Sequence, residues 1–204
     1  MQNRRALIAS QSRTVVWNQM LSEMKDSLWK SYNTSKTALS ISEGVGTITW
    51  KSRGGGYTYD ITEVTNSTTV TTGDKIYTSY MIKPDFGGGT WSYGYTSKID
   101  AQYRIRVTAP AGVWTQVAGI MTVGGAGGTD QIFMVDLRNY TETAVASGSI
   151  VFVKAPISVN LTKMYGAGNE PTKEEFERQC RINGIDLTAG LAQNISGVTR
   201  TWRR

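Results

Sequence analysis

Apolar and polar residues alternate with a period of two along most of this chain, a pattern that predicts strands. Residues 37–50 read as a hairpin. Ala38-Leu39-Ser40-Ile41-Ser42 alternates, Glu43-Gly44 turns the chain, and Val45-Gly46-Thr47-Ile48-Thr49-Trp50 alternates back. Tyr57, Tyr59 and Ile61 then share one strand face. A polar run over 63–74 ends in the turn signal Gly73-Asp74, and 75–83 alternates again until Pro84 and Gly87-Gly88-Gly89 end it. Trp91, Tyr93 and Tyr95 follow at a spacing of two, and Tyr103, Ile105 and Val107 alternate with Arg104 and Arg106. Residues 114–123 form a further strand before the flexible loop 124–128. The continuous apolar runs 132–135 and 150–153 suit central strands. Residues 14–24 open as a strand at Val15, Trp17 and Gln19. The total is about eight to ten short strands, the signature of a β-sandwich or jelly roll.

One segment breaks the period. Thr172 is an N-cap and Glu175, three residues on, completes a capping box; Glu174 and Glu175 also suit the positive end of the helix dipole. Phe176 and Cys180 share a face, Arg178 and Arg181 sit in later turns, and Gly184 is a natural stop. A helix is expected from Lys173 to about Asn183, packed on the sandwich through Phe176 because three turns do not hold alone. Beyond it Ile185, Leu187, Leu191, Ile195, Val198 and Trp202 are too sparse for a core of their own. The expected organisation is a basic N-terminal arm (1–14), a sandwich (15–165), a Gly-rich loop and short helix (166–184), and a C-terminal arm (185–204) that leaves the domain to contact a neighbour.

Composition narrows the function. Among 204 residues there are 26 Thr, 22 Gly and 20 aromatics, which favours strands and Gly turns. There is no His, so Ser-His-Asp and Cys-His catalysis and every His metal site are excluded. Cys180 is the single cysteine; it reads as a small buried hydrophobe and excludes an internal disulfide. No apolar run reaches the roughly 18 residues of a membrane span, and the stretch after Arg4-Arg5 is too short for a signal peptide. The expected setting is a cytoplasm, or a larger assembly put together there.

The net charge of +6 lies at the ends. Arg4, Arg5 and Arg13 precede the body and Arg200, Arg203 and Arg204 follow it, with no acid in either segment; residues 14–199 hold 16 basic and 16 acidic side chains. A neutral body with basic ends, one carrying Trp202, suggests docking arms that reach acidic partner surfaces, against the plainer reading of solvated termini. It does not suggest a nucleic-acid stripe.

No catalytic constellation stands out. No spacing selects a carboxylate pair, the 124–128 glycines lack the Lys and helix of a phosphate loop, and Arg53-Gly54-Gly55 is a lone triplet. Neither a cofactor nor a metal is expected. The chemistry lies in the aromatic series Trp91, Tyr93, Tyr95 and Tyr57, Tyr59, whose rings either fill the sandwich or stack on sugars. Trp17, Trp29, Trp50 and Trp114 are assigned to the core.

Residues 161–176, LTKMYGAGNEPTKEEF, resemble a segment of structural proteins from tailed bacteriophages and prophages, with Tyr165 where Phe is usual. Val16-Trp17-Asn18-Gln19, the hairpin 40–49 and Gly73-Asp74-Lys75-Ile76-Tyr77 are similar to other segments of those proteins. The resemblance implies a jelly-roll domain like carbohydrate-binding modules, in a tail-tip, fibre, baseplate or head-decoration protein. The usual Asn-Gly-Asn-Phe is replaced by Ser22-Glu23-Met24-Lys25-Asp26, so a glycan site is not inherited. The GAGNEP segment itself reads as a strand-to-helix clamp, with Gly166 and Gly168 for the turn and Pro171 to open the helix.

The reading is therefore an all-β jelly roll with one short C-terminal helix and extended basic termini. Its expected role is a non-enzymatic virion component docked through Arg4, Arg5, Arg13, Arg200, Trp202, Arg203 and Arg204. The expected partners are other virion proteins, further copies of the chain and, in the alternative reading, a bacterial surface glycan, with neither nucleic acid nor membrane. The alternative is a carbohydrate-binding module for host adhesion.

Overall fold

The computed structural model describes residues 29–31, 34–51, 58–63, 67–86, 89–93, 106–124, 128–131, 134–137 and 145–189. The first sheet holds, in spatial order, β1 (Trp29–Ser31), β4 (Thr58–Glu63), β11 (Met134–Leu137), β7 (Gly89–Tyr93) and β8 (Arg106–Ala109). The second holds β2 (Thr37–Ser42), β3 (Val45–Trp50), β12 (Ile150–Asn160), β6 (Lys75–Pro84) and β9 (Thr115–Thr122). A separate ribbon joins β5 (Ser67–Val70) to β10 (Gly128–Gln131). Every pairing is antiparallel.

The winding identifies the fold. With the flanking β1 and β2 and the ribbon set aside, the remaining strands lie as β3-β12-β6-β9 in one sheet and β4-β11-β7-β8 in the other. The chain passes between the sheets as a jelly roll does. Trp29 of β1 and Ala109 of β8 are buried in one cluster with Ile48, Trp50, Ile76, Tyr80, Ile82, Val117, Met121, Val151 and Val153 of the second sheet. The two sheets thus close face to face over a shared interior, as the alternation predicts. Trp29 and Trp50 are core residues, as expected, with Trp50 edge-on to Phe86 at 5.9 Å.

The hairpin β2–β3 has the expected turn. Glu43 and Gly44 both have positive φ, 50° and 74°, which suits the twist of a two-residue hairpin loop. Other features depart from the sequence reading. β5 lies in the segment read as a polar run, and β10 begins at the last glycine of the expected flexible loop; each lacks an alternating apolar face and is held by the other. β12 is much longer than its apolar run.

That length has a cause in a bulge. Lys154 opposes Met81 and Ile157 opposes Ser79, so Ala155 and Pro156 together face Tyr80, and Ala155 takes φ 52°. The extra residue reverses the phase of the strand. Val151 and Val153 point into the sandwich; Ile157 and Val159 point to the outer side of the sheet. There they meet Tyr77, Leu161, Met164, Phe176, Cys180, Ile185 and Leu187 in a second core.

The helices provide that layer. α1 (Leu161–Tyr165) follows β12 directly, with Asn160 Oδ1 accepting from the Lys163 N–H at 2.9 Å. α2 (Lys173–Ile182) carries the expected capping box between Thr172 and Glu175, and Phe176 is fully buried with its ring 4.7 Å from that of Tyr77. Residues 166–171 therefore join two helices, not a strand and a helix as expected. Pro171 stands one residue before the cap, outside the first turn. Burial of Ile185 and Leu187 also corrects the boundary expected at 185: the chain stays on the domain through Leu187. Residues 190–204 lie outside the described residues.

Candidate functional site

Two of the segments singled out in the sequence, around 73–75 and 160–170, are in contact. Asn160 Nδ2 donates to Asp74 Oδ2 at 2.7 Å, and Asp74 Oδ2 also accepts from the Thr71 N–H at 3.0 Å. The Lys75 N–H donates to Thr162 Oγ1 at 2.9 Å, Thr162 Oγ1 donates to Glu170 Oε1 at 2.7 Å, and Lys75 Nζ lies 3.7 Å from Glu170 Oε2. The Thr162 hydroxyl, with the Lys75 charge adding to it, holds the Glu170 carboxyl below its usual pKa. These bonds tie the start of β6 to the helix layer, so the assembly is a clamp.

The other half of the same outer face is built differently. Up to the bulge, the outward positions of β12 are Phe152 and Lys154, and those of β6 are Lys83 and Met81. Register places Phe152 between Thr47 of β3 and Lys83 of β6. The turn before β9 brings Trp114 to the far side of Lys83; the Gly112 N–H donates to the Pro84 carbonyl at 2.7 Å and fixes that turn on the end of β6. Lys83 Nζ lies 5.3 Å from the Trp114 ring centre and 4.9 Å from that of Phe152, and Lys154 Nζ lies 4.7 Å from the Trp114 ring. These are cation–π distances.

All four side chains are half-buried, and the adjoining Val113 is 51% exposed. Gln116, one row along, donates to Ser79 Oγ at 3.0 Å. Asp186, in the segment after α2, is the acid whose charge reaches Lys154; its Oδ1 is taken by the N–H and hydroxyl of Thr188, which lower its pKa. Among the described residues no carboxylate stands within ion-pair distance of Lys83 or Lys154. The face can thus offer an aromatic floor, two ammonium groups and neighbouring amide and hydroxyl groups.

No family model and no curated protein matches this chain. Several solved structures are similar to it in outline. One described as "CBM4 structure and function" has a TM-score of 0.44 at 12% identity, over 64% of this chain and 93% of its own. CBM29_1, a family 29 carbohydrate-binding module from Piromyces equi, gives 0.38 at 12%, over 74% and 91%. The CBM22-1–GH10 modules of xylanase 10B from Clostridium thermocellum, complexed with xylohexaose, give 0.42 at 14%, over 68% of this chain and 27% of theirs. Likeness at these scores assigns neither ligand nor activity to this chain.

The residues singled out by sequence fall elsewhere. Trp91 and Tyr93 are backbone positions of β7, opposite Val107 and Val135; Tyr59 is in β4, opposite Asp136, which in turn opposes Ser92. The first sheet thus brings both aromatic series together with β11 between them. The side chains of Trp91, Tyr93 and Tyr59, and the whole of Tyr57 and Tyr95, lie outside the described residues. So do Arg4, Arg5, Arg13, Arg200, Trp202, Arg203, Arg204 and Trp17. Among the described residues no group of acids and cysteine gathers as a metal site, and no helix is long and apolar enough to cross a membrane.

Trp114 corrects the sequence reading. It was assigned to the core and lies on the outer face instead. Its phase announces this: Val117 and Met121 are the buried positions of β9, and Trp114 falls in step with Gln116. Lys83 and Lys154 likewise stand in the polar phase of their strands, but only the fold places them beside the same ring.

Proposed function

We propose that this protein is a non-catalytic saccharide-binding jelly roll whose platform is the half of the second sheet's outer face beyond the helix layer. The observation that carries the reading is the pair of half-buried rings, Trp114 and Phe152, held on the outer face of the sheet by a fixed turn and a central strand. Flat rings stack on the apolar C–H faces of sugars, and Lys, Gln and Thr side chains around them meet sugar hydroxyls. Screening the protein against a panel of bacterial polysaccharides tests it. Trp114→Ala is expected to weaken binding by about 1 kcal/mol or more, by analogy with base–aromatic stacking. Loss of binding with Trp91→Ala and none with Trp114→Ala would move the platform to the first sheet. No binding to any polysaccharide would reject the reading.

A second reading concerns where the domain works. The support is the resemblance to tailed-phage structural proteins, two of whose segments, around 73–75 and 160–170, meet in one clamp. In that role the termini, through Arg4, Arg5, Arg13, Arg200, Trp202, Arg203 and Arg204, dock the domain on the particle, as one of several copies. A protein lacking 1–13 and 197–204 is expected to fold and to be missing from purified particles. Its normal incorporation would remove the docking role.

A further inference from the structure

We infer that the Trp114 face selects saccharides that carry negative charge, uronate carboxylates or phosphodiesters, over neutral ones. This rests on the saccharide-binding reading and adds the ligand class. Both Lys83 and Lys154 are within cation–π distance of a single indole, so two like charges are confined to one small area of the sheet. Phe152 holds Lys83 from the other side. Neither ammonium has an ion-pair partner among the described residues; Asp186, whose charge reaches Lys154, spends Oδ1 on Thr188.

Like charges held together in this way repel, and a partly desolvated site makes the repulsion stronger than in water. A neutral ligand stacked on the rings leaves that repulsion in place. An anionic group seated between the two lysines removes it and gains charge-assisted hydrogen bonds from both. The rings set the second requirement. A bare polyanion satisfies the lysines but leaves Trp114, Phe152 and the exposed Val113 without an apolar partner. A sugar ring bearing a carboxylate or phosphate presents both surfaces at once, which favours it over an acidic polypeptide.

The test uses the full chain and four polymers: polygalacturonate, its fully methyl-esterified form, a phosphomannan in which phosphodiesters join mannose rings, and poly-L-glutamate. Affinity electrophoresis or calorimetry reads binding at low and raised salt. The wild type is expected to bind polygalacturonate or the phosphomannan, or both, roughly tenfold or more tightly than the neutral ester, and less tightly as salt rises. The preferred polymer of the two identifies carboxylate or phosphate as the recognised group. Lys83→Gln/Lys154→Gln is expected to close the gap between charged and esterified polymer while still binding the ester, and Lys83→Arg/Lys154→Arg to restore it. Unchanged thermal unfolding of the Gln variant excludes misfolding as the cause.

Equal binding of charged and esterified polymer by the wild type, or a gap that survives the Gln variant, overturns the selectivity and leaves the saccharide reading standing. Binding of poly-L-glutamate as tight as polygalacturonate, and untouched by Trp114→Ala, overturns it in favour of an acidic polypeptide. Failure to bind any saccharide, charged or neutral, overturns both.

Discussion

Tyr77 shows how much one side chain decides. It sits on the outer side of β6, its ring against Phe176 and its hydroxyl donating to Glu177 Oε1 at 3.0 Å, while Lys173 Nζ donates to Oε2 at 3.2 Å. Burial, with Glu177 beside it, pushes the Tyr77 hydroxyl far above its ordinary pKa. Tyr77→Phe leaves one buried carboxylate oxygen without its partner. It is expected to cost about 1–3 kcal/mol in urea unfolding. Burial, then Glu177, pushes the Cys180 thiol up to about 12. The thiol is therefore expected to ignore a maleimide at neutral pH and to react only as the protein unfolds; rapid labelling of the native protein would contradict its burial. That Cys180 is an inert hydrophobe was legible from its place on an apolar helix face. The Tyr77–Glu177 bond was not, because it spans 100 residues and no local pattern reports it.

At the scale of elements, local chemistry was read well and phase changes were not. The α2 cap was legible because all its determinants lie within four residues. Thr172→Ala is expected to cost about 1 kcal/mol, with the loss visible as earlier unfolding. The bulge in β12 was not legible: one extra residue exchanges the two faces of a strand, and nothing in Lys154-Ala155-Pro156 states which neighbour absorbs it. The clamp adds a pH dependence. The Thr162 hydroxyl keeps the Glu170 carboxyl below its ordinary pKa in the folded protein. The stability it contributes is complete above its unfolded value and is lost as pH falls through the lower folded one. Glu170→Gln lacks that contribution. Its unfolding midpoint is expected to fall less steeply with acidification than that of the wild type, and parallel curves would deny Glu170 the role.

For the whole molecule, the alternation foretold a β-sandwich and the count of short strands a jelly roll, but not which strand neighbours which. Strand order is set by non-local pairing, and the ribbon of β5 and β10 arises from two stretches that separately look like loops. The domain edge was misread for the same reason. Ile185 and Leu187 seem too sparse to matter until the helix layer supplies their partners. A chain ending at residue 184 is expected to be less stable by about 1.5–3 kcal/mol for each of these two side chains than one ending at 189. Equal unfolding midpoints would return them to the tail.

The position of β12 has a mechanical meaning. It is the middle strand of its sheet, bonded to β3 on one side and β6 on the other, and it runs without a break into α1 and the clamp. A pull on the C-terminal end, once past the helix layer, is therefore not spent peeling an outer strand away one bond at a time. It arrives along the axis of the central strand, where the ladders on both flanks are loaded in shear and must give way together, so whatever is tethered by that end hangs from the strongest part of the sandwich.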